Sequence, residues 1–464
     1  MTATTTDPRL ELARRVAMTG PIGMAEVCSR GTYTAARHHL LLEREVLNAI
    51  DTGGRVIISV AVRSGKTQLV SRWTPAWFLA RHPDRRVIVA SHEADFAGSH
   101  GRFARDRIEE WGPSLFGTAV DSRSHSASRW DTDQGGGMVC VGVGGAPIGR
   151  GADLMVIDDP HPNFAKAMSD NHRSDVKDWW TGTLRSRLQP GAAVIVVCSR
   201  WHEDDLPGFL LREFADDWTE VRIPALCDDP EHDPLGRAEG EALWPEAGWT
   251  EEEYTKARRE TTARYGELVW LAQFQQRPSA PQGNLFRADR WTWCAPDEVP
   301  DGLRWVRAWD LAATAGGGDW TAGVKLAVAP DDRVIVADVV RGQWAPDQVK
   351  AMIAATRDAD GPGVRIAMPR DPGQAGVAQF QELARLLKGS VVVEAPQTGS
   401  KEVRAWPLAS QQRAGNVTVV RSHWSSAFTA ELEAFPTGRH DDQVDAAASA
   451  FNLAAERRPG LRVR

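Results

Sequence analysis

The chain has no paired cysteines, no long apolar run and no excess of positive charge, and each absence removes a class of protein. Its five cysteines (Cys28, Cys140, Cys198, Cys227 and Cys294) are scattered and contain no CxxC pair. That pattern reads as reduced thiols of a cytosolic protein and excludes a disulfide frame or a zinc site. No stretch approaches the roughly 20 apolar residues that a bilayer-spanning helix needs. The opening MTATTTDPRLELARR lacks an apolar signal core, so the expectation is a soluble intracellular protein with no membrane partner. A formal net charge of −7 argues against a uniformly basic, histone-like binder, yet it leaves room for a basic groove on an acidic surface. Internal repeats and low-complexity tracts are also missing.

What is present is ordinary in bulk and specific in detail. Hydrophobic residues make up 42% and charged residues 25%, the range of a soluble globular protein. The 464 residues fit roughly two to three domains and can bury more than one core. Residues 1–50 read as polar and helical. Buried strands are then expected at RVIISVAV (55–62), RVIVAS (86–91), MVCVGV (138–143), LMVI (154–157) and AVIVVCS (193–199), with helical patterns between several of them. Strands alternating with helices predict a mostly parallel sheet covered on both faces. Residues 205–275, rich in Trp, Glu and Arg, read as a mostly helical or irregular subdomain or lid, and the Pro- and Gly-bearing RPSAPQGNLF at 277–286 as a linker. A second block carries strands at 303–312, 320–329 and 333–340, the last two joined by the short turn PDD as a hairpin, followed by alternating helices and strands. That order is expected of an RNase H-like mixed sheet. The domain reading is therefore 1–276 with its lid at about 205–275, a junction at 277–300, and a second domain at 301–464.

The strongest motif is VAVRSGKT, Val60–Thr67, a buried strand running into a turn and a helix start. Backbone N–H groups of Arg63, Ser64 and Gly65 and the helix N-terminus can cradle phosphate oxygens. Lys66 can bridge the β- and γ-phosphates of ATP, and the Thr67 hydroxyl can ligate Mg²⁺. The first glycine of the usual pattern is replaced by Val60, and Arg63 inside the loop is unusual; a chance GKT at a helix start is the bland alternative. The strand ending in Asp158 and Asp159 supplies a partner: the first acid for the Mg²⁺ shell, the second to polarise water. A helix cap before Pro160 would be the dull reading. Ser199, at the end of the 193–199 strand, can sense the γ-phosphate or simply cap the strand. Arg63 and Arg150 compete as a charge-stabilising finger, with a structural arginine as the alternative for each.

The second block offers carboxylates at separate strand and helix ends. Asp310 lies inside an apolar strand, which is costly unless the acid is paired or binds metal. Asp371 follows the strand VRIAM, and Asp442 and Asp445 are three apart, on one helical face with Asp441 nearly beside them. Distant acids meeting at one sheet edge are what two-metal phosphodiester cleavage requires, and hard oxygen ligands suit Mg²⁺ or Mn²⁺. Turn or cap roles for Asp371 and Asp442 are the alternatives; Asp319 and Asp338 read as structural acids. Lys401 and Arg404, in TGSKEVRAW, and the basic tail RRPGLRVR are candidates for phosphate contacts with DNA.

Taken together, the chain resembles the large subunit of tailed-phage terminases over nearly its whole length: ARHHLLLEREVLNAI, VAVRSGKT, GRGADLMVIDDP, VVCSRWHEDDLPG, GEALWPE, LVWLAQFQQRPSAPQGNLF, AWDLAAT, PRDPGQAG, TGSKEVRAWPLA and FPTGRHDDQVDA occur in the family's order. The resemblance implies an α/β chain: an N-terminal P-loop ATPase domain with a mostly parallel sheet, then a C-terminal RNase H-like nuclease domain with a mixed sheet. It implies ATP-driven translocation of double-stranded DNA into a procapsid and cutting of concatemeric DNA. By the family pattern Lys66, Thr67, Asp158 and Asp159 match the ATPase site, Ser199 the coupling segment, and Asp310, Asp371 and Asp445 the nuclease acids, with Asp442 a fourth candidate. The implied cofactors are ATP with Mg²⁺, and two Mg²⁺ or Mn²⁺ at the nuclease site. The implied partners are DNA, a portal protein, a small terminase subunit and further copies in a ring, in the host cytoplasm and at the portal vertex. Two other readings stay open: a translocase or helicase-like ATPase whose second domain grips DNA without cutting, and a non-enzymatic docking protein with structural acids.

Overall fold

The computed structural model describes residues 7–147, 149–265, 267–278, 285–312, 320–370, 374–395, 400–436 and 438–455. The chain divides into two compact units, Met1–Arg259 with Val269–Ala280, and Glu260–Leu268 with Pro281–Arg464. Among the described residues no helix is long and apolar enough to cross a membrane, and all five cysteines are free thiols.

The first unit is built on eight strands: β1 (Arg55–Val60), β2 (Arg86–Ser91), β3 (Val120–His125), β4 (Arg129–Thr132), β5 (Gly137–Gly142), β6 (Ala152–Asp158), β7 (Leu188–Cys198) and β8 (Thr219–Ile223). They lie in the order β3-β4-β5-β2-β6-β7-β1-β8. All neighbours pair in parallel except β3 with β4 and β4 with β5. The central strands are apolar on both faces because both faces are covered. Val56, Ile58 and Val60 point into one core with Leu42 and Val46 of the helix Arg37–Thr52, beside Trp73 and Trp77. Ile57 points the opposite way, onto Ile88, Met155, Val194, Trp179 and Trp180. Trp73, Trp77, Trp179 and Trp180 are thus core residues.

The order also explains the site. β7 lies between β6 and β1, so the loop after β1 and the residues ending β6 and β7 emerge side by side at the C-terminal edge of a parallel sheet, where such folds bind ligands.

Two expectations need correction. The segment expected to be a helical or irregular lid contains β8, which extends the sheet beside β1. The expected junction contains a strand, β9 (Thr292–Cys294), on the edge of the second sheet. Both strands are short, and charged or exposed positions interrupt their apolar pattern, so periodicity does not reveal them.

The second unit adds β10 (Val306–Asp310), β11 (Thr321–Val328), β12 (Val334–Gly342), β13 (Arg365–Pro369), β14 (Val392–Ala395) and β15 (Val417–Val420), in the order β14-β13-β10-β11-β12-β15-β9. β10, β11 and β12 are antiparallel neighbours, and the remaining pairs are parallel. The expected hairpin and mixed sheet are therefore present; β15 is an addition to the strands that the pattern predicts. On one face Trp309 packs with Ile353, Ile366, Met368, Leu383 and Leu387. The last helix, Asp442–Ala455, packs against β10 and β11, and its buried run of Ala446, Ala447, Ala448 and Ala450 permits close approach.

Arg307, alternating with Asp310 on β10, is 1% exposed. Its guanidinium bonds Asp360 at 2.7 and 2.9 Å and Asp338 at 2.6 Å, while Lys325 approaches Asp360 at 3.0 Å. Asp338 is thus the structural acid expected of it; Asp319 lies outside the described residues. Removing one partner of a buried ion pair strands the other. Asp360→Ala should lower the stability of the second unit by about 3 kcal/mol, the low end of that range because Asp338 remains, measured as the shift of its urea unfolding transition.

Candidate functional site

The loop after β1 turns sharply at two left-handed residues, Arg63 at φ 62° and Gly65 at φ 78°. A Cβ at Gly65 would lie 2.7 Å from His39 Nε2, so only glycine fits there. The loop is held from behind by two histidines that sequence reasoning did not single out. His38 and His39 each donate Nε2–H to the Ser64 carbonyl at 2.8 Å. The Nδ1 of His39 accepts the Ala36 N–H at 3.1 Å, which fixes its tautomer. The doublet HH in an amphipathic helix start was the available signal, but nothing in its spacing says that both rings share one acceptor.

Lys66, 6% exposed, donates Nζ–H to Ser199 Oγ at 2.7 Å and lies 3.4 Å from Asp159 Oδ2. Asp159 in turn accepts the Ser199 N–H at 2.8 Å. Its backbone is left-handed at φ 40°. Burial raises its carboxyl above the usual range, Lys66 opposes that shift, and Asp158 adds to it. Thr67 donates its hydroxyl to Asp158 Oδ1 at 3.2 Å. Behind Asp158 sits the fully buried His100, with Nε2 3.3 Å from Oδ2 and Nδ1 accepting from Arg72 at 3.3 Å; no sequence pattern points to this support either. The structure thus brings Ser64, Gly65, Lys66, Thr67, Asp158, Asp159 and Ser199 together. A hydroxyl and a carboxylate already in contact, facing a lysine at a helix start, form a donor set that suits Mg²⁺ and a polyphosphate.

The two candidate arginines part company. Arg150 is committed to a two-pronged ion pair with Asp131, one bond measuring 2.8 Å. Arg63 is exposed and makes no ion pair among the described residues.

In the second unit Asp310 ends β10, and Asp442 and Asp445 occupy the first turn of the last helix. Asp310 is pushed up to about 7, by burial first and then by the charges of Asp445 and Asp442, with Lys401 working against them. Arg404 bonds Asp445 Oδ1 at 2.6 Å, and Lys401 bridges Asp445 at 3.1 Å and Asp441 at 2.6 Å. The two cations expected to meet DNA phosphates are therefore paired with Asp441 and Asp445 here. Asp371 lies outside the described residues. No three of His, Cys, Asp and Glu among the described residues form a finished metal seat. The all-oxygen donor set and the excess negative charge around Asp310 nevertheless suit a hard divalent cation.

Residues 57–291 match the family model for the N-terminal part of the terminase large subunit, T4-like virus type, and residues 307–454 match the terminase RNaseH-like domain. The chain belongs to the terminase large-subunit family. Among solved structures, the large terminase of a thermophilic bacteriophage is similar at 12% identity and TM-score 0.49, over 88% of this chain and 95% of that one. The bacteriophage HK97 large terminase aligns at 14% identity and TM-score 0.36, over 91% and 95% of the two chains. The magnesium-bound large terminase nuclease of thermophilic phage G20c aligns at 17% identity and TM-score 0.29, over 37% of this terminase and 97% of that chain. No functionally curated protein matches it.

Burial first, then the charge of His39, lowers His38 to about 3, against the pull of the Ser64 carbonyl. A histidine whose folded value lies below its unfolded value of about 6.5 contributes stability above that pH and loses it as pH falls towards 3. The terminase should therefore lose stability over that acid range, and His38→Gln, which cannot titrate, should flatten the loss when urea midpoints are compared from neutral pH downwards.

Proposed function

We propose that this terminase subunit is an ATP-driven motor for packaging double-stranded DNA, with a two-metal endonuclease in its second unit. The observation that carries the motor reading is the junction of Lys66, Ser199 and Asp159 at three adjacent strand ends, beside the Thr67–Asp158 contact. On this reading the loop N–H groups and Lys66 receive the β- and γ-phosphates. Lys66 gives up Ser199 and Asp159 for phosphate oxygens, and Asp159 then orients the attacking water. Thr67 and Asp158 would hold Mg²⁺, which supplies charge neutralisation at the phosphates. Arg63, rather than Arg150, would meet the charge that develops on the transferred group, because Arg150 is already tied to Asp131.

For cutting, Asp310, Asp445, Asp442 and Asp371 would hold two Mg²⁺ or Mn²⁺ ions, which activate water and stabilise the leaving oxygen. Lys401 and Arg404, once the acids are balanced by metal, are available to backbone phosphates. Family membership supports DNA, a portal protein, a small subunit and a ring of copies as partners, acting in the host cytoplasm and at the portal vertex. The gripping-only alternative has no observation of its own to favour it.

Two substitutions in the full chain test the reading. Lys66→Ala should abolish ATP turnover and leave Mn²⁺-dependent cleavage of plasmid DNA intact. Asp310→Asn should stop cleavage and spare ATP turnover. Cleavage by Asp310→Asn at the wild-type rate would remove the metal role, and ATP turnover by Lys66→Ala would remove the phosphate site.

A further inference from the structure

Three buried glutamines in the run Gln273-Phe274-Gln275-Gln276 have no part in the chemistry described above. Gln273, Gln275 and Gln276 are only 7%, 6% and 2% exposed. Burying three primary amides is unfavourable unless their hydrogen bonds are made, so their partners are informative. The Gln273 main-chain carbonyl accepts the Val62 N–H at 3.3 Å, inside the phosphate loop. Its side-chain amide donates to the Arg200 carbonyl at 2.8 Å. Gln276 accepts the Arg200 N–H on Oε1 at 3.0 Å and donates from Nε2 to the Gln273 carbonyl at 2.6 Å. It does so from a left-handed backbone at φ 54°, a conformation that a non-glycine residue adopts only when its surroundings require it. Gln275 faces the other way, clamping Leu226 beyond β8 through both its N–H and its carbonyl, at 3.2 and 2.9 Å.

The Arg200 main chain is therefore held on both sides by glutamine amides. Its side chain is locked separately, onto the buried Asp205 at 2.9–3.0 Å. Immediately before it, Ser199 is the hydroxyl that accepts from Lys66. A movement of Ser199 when Lys66 changes partner has a rigid bonded route through Arg200 into residues 273–276. Those residues are the last buried ones among the described residues of the first unit.

We propose that Gln273 and Gln276 are positioning residues that tie the Ser199–Arg200 strand end to the phosphate loop and carry the nucleotide state of that site into the segment leading out of the first unit. This rests on the ATP-site reading above and adds to it the route by which that site is heard elsewhere in the chain. A purely structural role would make the glutamines matter for folding alone. A relay makes them matter for how residues 271–277 respond to nucleotide.

Hydrogen exchange on the full chain, with and without Mg²⁺ and ATPγS, separates the two. In the unmodified protein, exchange should slow both at 62–67 and at 271–277. In Gln276→Ala, and independently in Gln273→Ala, the response at 62–67 should persist and the response at 271–277 should be lost. A nucleotide response confined to 62–67 in the unmodified protein overturns the relay while leaving the ATP site standing, and needs no variant to fold. Retention of both responses in a folded variant also overturns it. If ATPγS alters neither segment and does not bind, the ATP-site reading fails, and the relay with it.

Discussion

A buried ammonium sets the terms for the first unit. Lys66 is almost fully enclosed, and an unpaired charge in that position would be prohibitive. Its charge is met by a hydroxyl and a carboxylate from two other strand ends, Ser199 and Asp159. That solution is available only because β7 separates β6 from β1 in the sheet, which places the three strand ends within one side chain's reach. The loop cannot drift to relieve the contact, since two histidines grip the Ser64 carbonyl from behind and a glycine at 65 leaves no room for anything larger. Fold, loop conformation and residue identity are thus fixed by one electrostatic requirement.

The second unit poses the same problem with the sign reversed. Here carboxylates accumulate at the edge of β10 and in the first turn of the last helix, and two cations from one neighbouring helix balance them. The raised Asp310 shows that the balance is incomplete: burial and its acidic neighbours outweigh Lys401. A charge arrangement that Lys401 and Arg404 offset only in part is one that additional positive charge would complete, and it would also free those two side chains. The Arg307–Asp360–Asp338–Lys325 network on the alternating side of β10 pairs two cations with two acids, and so differs from the acid-rich cluster around Asp310.

Much of this was legible in the chain. RVIVAS marked β2 to the residue, and the continuous apolar runs of β1, β6 and β7 announced strands buried on both faces. GKT and the paired acids pointed to residues that the structure brings into contact, and Asp310 inside an apolar strand pointed to a second cluster of acids. What escaped has physical reasons. β8, β9 and β15 are short, and only tertiary pairing makes them strands. The pairing of Arg150 with Asp131, and of Lys401 with Asp441 and Asp445, depends on side-chain reach between residues far apart in sequence, which no local pattern records. His38, His39, His100 and the glutamines of 273–276 act on backbone atoms or on another residue's carboxylate. Such support leaves no spacing signature, because its geometry is set by the fold and not by the helix or strand that carries it.

The short acid at 159 becomes intelligible in this light. A glutamate is the longer alternative for reaching a water beyond the phosphates, and an aspartate at the strand end would be expected to fall short. Yet Asp159 leaves β6 in a left-handed conformation, accepts the Ser199 N–H on one oxygen and faces Lys66 with the other. Both oxygens of its carboxylate are therefore engaged. On the proposed reading, one event, the transfer of Lys66 to phosphate, frees an oxygen of Asp159 and withdraws the lysine donor from the Ser199 hydroxyl, which keeps its bond to the Val60 carbonyl. A longer side chain could reach past the lysine and act independently of it. On that reading the shorter one cannot, so Asp159 would turn to water only when a phosphate has taken Lys66, while the Ser199 N–H stays on its other oxygen.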